Sequence, residues 1–168
     1  MPQTLEMAVS GSVIPSNKDI SDRERLLLGK LDSFEAPYLE EKLMEKGLFG
    51  SHEEYAEAFG EFKRFVALTM MYGRDMSMMS RKVDEVWHQF ILFTPQYHQF
   101  CNDFLGGYMH HLPKTSQTPL SSNGRKNLIN NYREAFGEMP SIWNVKSSSD
   151  PCEACGPAAC APDCSNER

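Results

Sequence analysis

Apolar residues recur along this chain at intervals of three and four, the spacing that gathers them on one face of an α-helix. Leu27, Leu31 and Phe34 predict a first amphipathic helix over residues 22–34. Pro37 suits the opening turn of a shorter second helix that ends near Gly47, because proline fits the start of a helix and glycine the position just past its end. Ser51 and Glu54 form a capping-box signature for a third helix, along which Tyr55, Phe59, Phe62, Val66 and Met70 share a face. Ser80 predicts the cap of a fourth helix from Arg81 to about Phe93. Thr94 as N-cap and Pro95 at the first helical position open a fifth, whose stripe of Tyr97, Phe100, Cys101, Phe104 and Leu105 stops at Gly106-Gly107. A polar connection from Pro113 to Gly124 leads to a last helix from about Arg125 to Phe136, with Leu128, Tyr132, Ala135 and Phe136 inward and Gly137 at its end.

No strand alternation and no internal repeat interrupts this pattern, so the expected fold class is all-α. The expectation is a compact bundle of five or six short helices over residues 21–144. Residues 1–20, aperiodic and carrying Pro2 and Pro15, read as a flexible N-terminal arm. Residues 145–168 turn to Ser, Pro, Ala and Cys and read as a disordered Cys-rich C-terminal tail.

Composition adjusts this picture at the level of partners. The 168 residues carry a net charge of −6. Eight acids and two bases lie between Glu35 and Glu61, and they account for that whole excess. A chain with no basic stripe is a poor match for phosphate backbones, so no nucleic-acid partner is expected. The acidic stretch itself reads as the solvated face of two helices. No apolar run approaches the ~20 residues that span a bilayer, so no membrane partner is expected either. The first 20 residues show neither a secretory nor a transit pattern, and a cytoplasmic location is the expectation.

The segment from Val83 to Pro113 concentrates residues that can do chemistry. Asp84 and His88 stand one helical turn apart at the border of the apolar arc formed by Val83, Val86, Trp87, Phe90 and Ile91. A carboxylate four residues before an imidazole can accept its N–H, fixing its tautomer as it does behind metal ligands and general bases. If the fourth and fifth helices form a hairpin through Thr94-Pro95, His88 and Cys101 approach, and His111, just past the glycine stop, closes the group. Asp84, His88, Cys101 and His111 are therefore a candidate metal site. The plain alternative is that Cys101, Trp87, Tyr97 and Phe100 are core and that Asp84 and His88 share a surface hydrogen bond.

This segment's D-x-x-W-H at Asp84–His88, T-x-x-Y-x-x-F-C at Thr94–Cys101 and G-x-x-x-H-x-P at Gly107–Pro113 resemble the glycine-rich domain-containing protein-like family. The likeness covers the 31 residues from Val83 to Pro113, and small relatives of this kind also end in a Cys-rich tail. That family often reads W-H-x-H, whereas Phe90 occupies the second histidine position here.

Four cysteines, Cys152, Cys155, Cys160 and Cys164, lie within 13 residues of the tail. Clustered thiolates are soft anionic ligands suited to Zn, Cu(I) or an iron–sulfur cluster. A helical protein that binds a soft metal through the tail thiolates is therefore the leading functional expectation. The alternatives are an interaction module whose tail is a protein partner or modification handle, and an enzyme with His88 as a general base oriented by Asp84. The methionines from Met70 to Met79 read as adaptable core filler. No phosphate loop, G-x-S-x-G or H-E-x-x-H occurs.

Overall fold

In the computed structural model the described residues, 11–16, 18–112 and 122–144, are helical and contain no strand. Six α-helices follow in order: α1 (Asp22–Asp32), α2 (Pro37–Glu45), α3 (His52–Tyr72), α4 (Arg81–Leu92), α5 (Thr94–Leu105) and α6 (Ser122–Phe136). A single 3-10 turn, Ser141–Trp143, ends the described chain. None of the helices is long and apolar enough to cross a membrane. The four tail cysteines lie outside the described residues.

Local chemistry starts and stops these helices much as the sequence suggests, with informative exceptions. Ser21 caps α1 in a full capping box, its hydroxyl accepting from the Glu24 amide while the Glu24 carboxylate accepts from the Ser21 amide. At α3 the Ser51 hydroxyl accepts from the Glu54 amide. The Glu54 carboxylate, however, reaches past the cap to the Gly50 amide at 2.7 Å and to Lys82 Nζ at 2.6 Å. The expected box is thus half made, and its carboxylate instead ties α3 to α4. α5 begins one residue earlier than expected, with Phe93 in the cap position and Pro95 in the first turn. It ends at Gly106, whose φ of 66° is a left-handed conformation that costs glycine little. α6 starts at Ser122 rather than Arg125, which brings Gly124 into its first turn against Ser77. A Cβ at Gly124 would stand 2.4 Å from Ser77 Oγ, so glycine is what permits the approach.

α3 is the axis of the molecule. From Ala58 to Thr69 it is buried almost without interruption, because α1, α4, α5 and α6 all pack against it. Its Phe62 lies between Trp87 and Phe90 of α4 and Phe100 of α5, with ring centroids 6.1–6.4 Å apart. Met70, Met71, Met76, Met78 and Met79 are half-buried against this core.

Two expectations need correction. Within the presumed arm, Val13 is only 1% exposed, its amide donates to Asp32 Oδ1 at 3.0 Å, and the Ser16 amide donates to the Ala135 carbonyl. Residues 11–16 therefore already pack against the bundle, before α1. Glu61, read as part of a solvated acidic face, is 5% exposed. Its carboxylate accepts from Arg64 at 2.9 Å, from the Tyr132 hydroxyl at 2.8 Å and from the Trp143 indole at 2.7 Å. It is the acceptor that joins α3 to α6 and to the final turn. The remaining acids of that stretch are exposed or half-exposed.

Candidate metal centre

Ser80 starts the helix that carries the first two residues of the site. Its hydroxyl accepts from the Val83 amide, and α4 then runs with Val83, Val86, Trp87 and Phe90 buried. Because each residue turns the helix by ~100°, Asp84 and His88 fall on the flank of that buried face. Asp84 is half-exposed and the His88 side chain is 45% exposed.

The third residue comes from the segment Gly106–Leu112, which crosses back from the end of α5 to α4. His111 Nε2 donates to Asp84 Oδ1 at 2.8 Å, and the His111 side chain is only 12% exposed. Its ring lies 4.5 Å from the Trp87 ring and 4.3 Å from that of His88, edge-on to both. One ligating atom from each of Asp84, His88 and His111 thus lies within 4.8 Å of the others, the one such group among the described residues.

Two parts of the sequence-based reading are revised by this geometry. Asp84 Oδ2 lies 3.6 Å from His88 Nε2, too long for a hydrogen bond. The imidazole that Asp84 orients is His111, 27 residues away, rather than the one four residues away. Nor does Cys101 join the group. The residues of α4 that meet α5 are Trp87 and Phe90: the Trp87 indole donates to the Tyr97 hydroxyl at 2.8 Å, and Phe90 packs on Tyr97 and Phe100. His88, one residue further round the helix, points away from α5. Cys101 is fully buried and neighbours the Tyr97 hydroxyl. It behaves as a small core residue.

Tyr97, expected only as a core aromatic, holds a more specific position. Its hydroxyl accepts from Trp87 and donates to the Met109 carbonyl at 2.6 Å, all within the core. Burial pushes the hydroxyl well above its ordinary pKa; the Trp87 bond opposes this and the neighbouring Cys101 adds to it. The proton therefore stays on the oxygen and points at Met109. A tyrosine in an otherwise apolar stripe was the available signal, since a buried phenol needs a partner. Arg74 braces the same segment from outside, donating to the Gly107 and Tyr108 carbonyls at 3.1 and 2.9 Å.

A separate cavity of about 280 Å³ lies between α2 and α3, lined by Phe34, Tyr55 and Phe59 and rimmed by Glu40, His52 and Lys63. None of the three metal-type ligands lines it.

Neither a curated protein nor a solved structure matches the chain. The UCP032817-like family model matches residues 29–137, which hold α1 from Gly29 onward, all of α2 to α6 and the whole of the Asp84, His88 and His111 group. This corrects the expected likeness to the glycine-rich domain-containing protein-like family. The match spans well over half of the chain, and the chain belongs to the UCP032817-like family.

Proposed function

We propose that this protein binds a divalent transition-metal ion through Asp84, His88 and His111. The observation that carries the reading is the convergence of two imidazole nitrogens and a carboxylate oxygen within 4.8 Å, two of them on one helix and the third delivered by a braced loop. Two histidines and one carboxylate are a donor set used for zinc and for non-haem Fe(II). Around a tetrahedral ion with bonds of ~2.0–2.1 Å the donor atoms stand about 3.4 Å apart, so the exposed His88 ring has only a short way to move. For Nε2 of His111 to ligate, the proton it now shares with Asp84 would have to leave that nitrogen, with Nδ1 carrying the proton of the neutral ring. Three protein ligands would leave room for water or a further ligand on the ion. An ion held there would supply a Lewis acid or a bound water.

The tail cysteines are the soft-ligand alternative, with thiolates suited to Zn, Cu(I) or an iron–sulfur cluster. The two seats are separated by titrating Zn(II) into the full chain, into a full-length variant with Cys152, Cys155, Cys160 and Cys164 all replaced by Ser, and into His111→Ala. Stoichiometric binding that survives the serine replacements and is lost in His111→Ala is the expected result. Binding lost with the cysteines and kept by His111→Ala would overturn the reading and move the metal to the tail.

A further inference from the structure

We propose that Tyr97 is the positioning residue of this centre, and that its single hydroxyl sets the metal affinity by tying the indole beside His88 to the backbone that leads to His111; this rests on the metal reading above. The Tyr97 oxygen bonds to Trp87, the residue immediately before His88, and to the carbonyl of Met109, two residues before His111. Trp87, Tyr97 and Met109 are each no more than 6% exposed, so none of these polar atoms has water to fall back on.

Among the described residues the Gly106–Leu112 segment is held by the buried Met109, by the Tyr108 ring against Tyr97 and by a few further anchors. From outside it is held at Gly107 and Tyr108 by Arg74, an exposed side chain. Closer to His111, the inward anchors are the Met109 carbonyl on Tyr97, the Trp87 ring against the imidazole and the Asp84 bond itself. Trp87 forms one of these anchors and Tyr97 another, and Tyr97 also orients Trp87. Without the hydroxyl, the indole N–H and the Met109 carbonyl would both be buried and unpaired, and the shortest relief is for the carbonyl to turn outward. Such a turn moves His111 off Asp84. Outer partners that orient metal ligands typically contribute about 10- to 100-fold to affinity, and Tyr97 serves two ligands with one atom.

The test compares full-length Tyr97→Phe with Cys101→Ala, both in the background carrying serine at the four tail positions. Cys101→Ala is the core control: it disturbs the same layer of α5 and removes a neighbour of the Tyr97 oxygen, but keeps the oxygen that bonds Trp87 and Met109. Three readouts are taken: Zn(II) affinity, the visible spectrum of the Co(II) form, and, without metal, amide exchange at 109–112 with the His111 imidazole ¹⁵N shifts. Tyr97→Phe is expected to lose about 10- to 100-fold in affinity, to alter the Co(II) spectrum, and to release the 109–112 amides, while Cys101→Ala changes none of these. Equal losses in both variants, or unchanged affinity in Tyr97→Phe, would overturn the inference. If the parent chain binds no metal, the metal reading fails by itself, and the metal-free readouts still decide whether Tyr97 places His111. Should Tyr97→Phe not fold, Arg74→Gln takes its place on the opposite side of the same segment. Loosened amides and weaker binding in that variant would support control by the segment's position, and wild-type values would overturn it.

Discussion

Two carboxylates on neighbouring helices meet opposite fates in this molecule. Glu61 of α3 is 5% exposed and receives three donors, from Arg64, Tyr132 and Trp143. Asp84 of α4 is half-exposed and faces two imidazoles, one hydrogen-bonded at 2.8 Å and the other standing off at 3.6 Å. The first group is held by three donors from the surrounding core, so it closes the core. The second is surrounded by groups that can exchange a proton for a metal ion, so it remains chemically open. A buried charge held by several fixed donors is architecture; a half-exposed one among imidazoles can bind.

The largest expected effect tests the closed side. Glu61→Ala should lower stability by about 3 kcal/mol or more in denaturant unfolding, because it leaves the Tyr132 hydroxyl, the Trp143 indole and the Arg64 cation short of their acceptor. Metal affinity of the folded protein should hold. A loss below 1 kcal/mol would break the contrast between the two carboxylates. Next comes the open side: Asp84→Asn should cost metal affinity on the order of 100-fold, more than a mere outer partner would, while the midpoint of unfolding moves by no more than the worth of one hydrogen bond, ~1 kcal/mol. Calorimetric titration and unfolding on the same sample check both halves.

A smaller effect is expected at Ser80, which caps the helix that carries Asp84 and His88. Ser80→Ala removes the acceptor of the Val83 amide and should cost about 1 kcal/mol in unfolding free energy. The smallest is a pH effect between α2 and α3. Hydrogen bonding to Glu40, aided by its charge, raises the pKa of exposed His52 above 6.5. A raised histidine contributes its stability fully below the unfolded value and loses it as pH rises through the folded one. The wild-type melting temperature should therefore decline slightly on going from below 6.5 through the raised pKa, and His52→Ala should flatten that change; identical pH profiles for the two chains would remove the pair from the account.

Helix positions were legible because they depend on short-range periodicity and cap chemistry. Ser51, Ser80, Gly106 and Gly137 stand where the spacing put them, at or beside helix ends. The partners of buried polar groups were not legible. Nothing local distinguishes Glu61 from Glu57, one turn earlier and exposed, until α6 and the last turn deliver Tyr132 and Trp143. The candidate site was half visible: Asp84, His88 and His111 could be picked out as chemically capable, whereas the choice between the group and the core for Cys101, both of them readable, could not be made locally. A rotation of ~100° per residue makes Trp87 face α5 and turns His88 away from it, and only the packing of the two helices shows which one points inward.

By itself, then, the sequence determined an all-α chain, most of its helix ends and the residue types able to hold a metal. Tertiary structure alone decided that Asp84 pairs with His111, that Glu61 is buried and that Tyr97 joins the Trp87 indole to the Met109 carbonyl. Periodicity and capping act over one or two turns of chain, while these pairings join residues from 10 to 82 positions apart. No local pattern encodes which distant donor will arrive at a given acceptor.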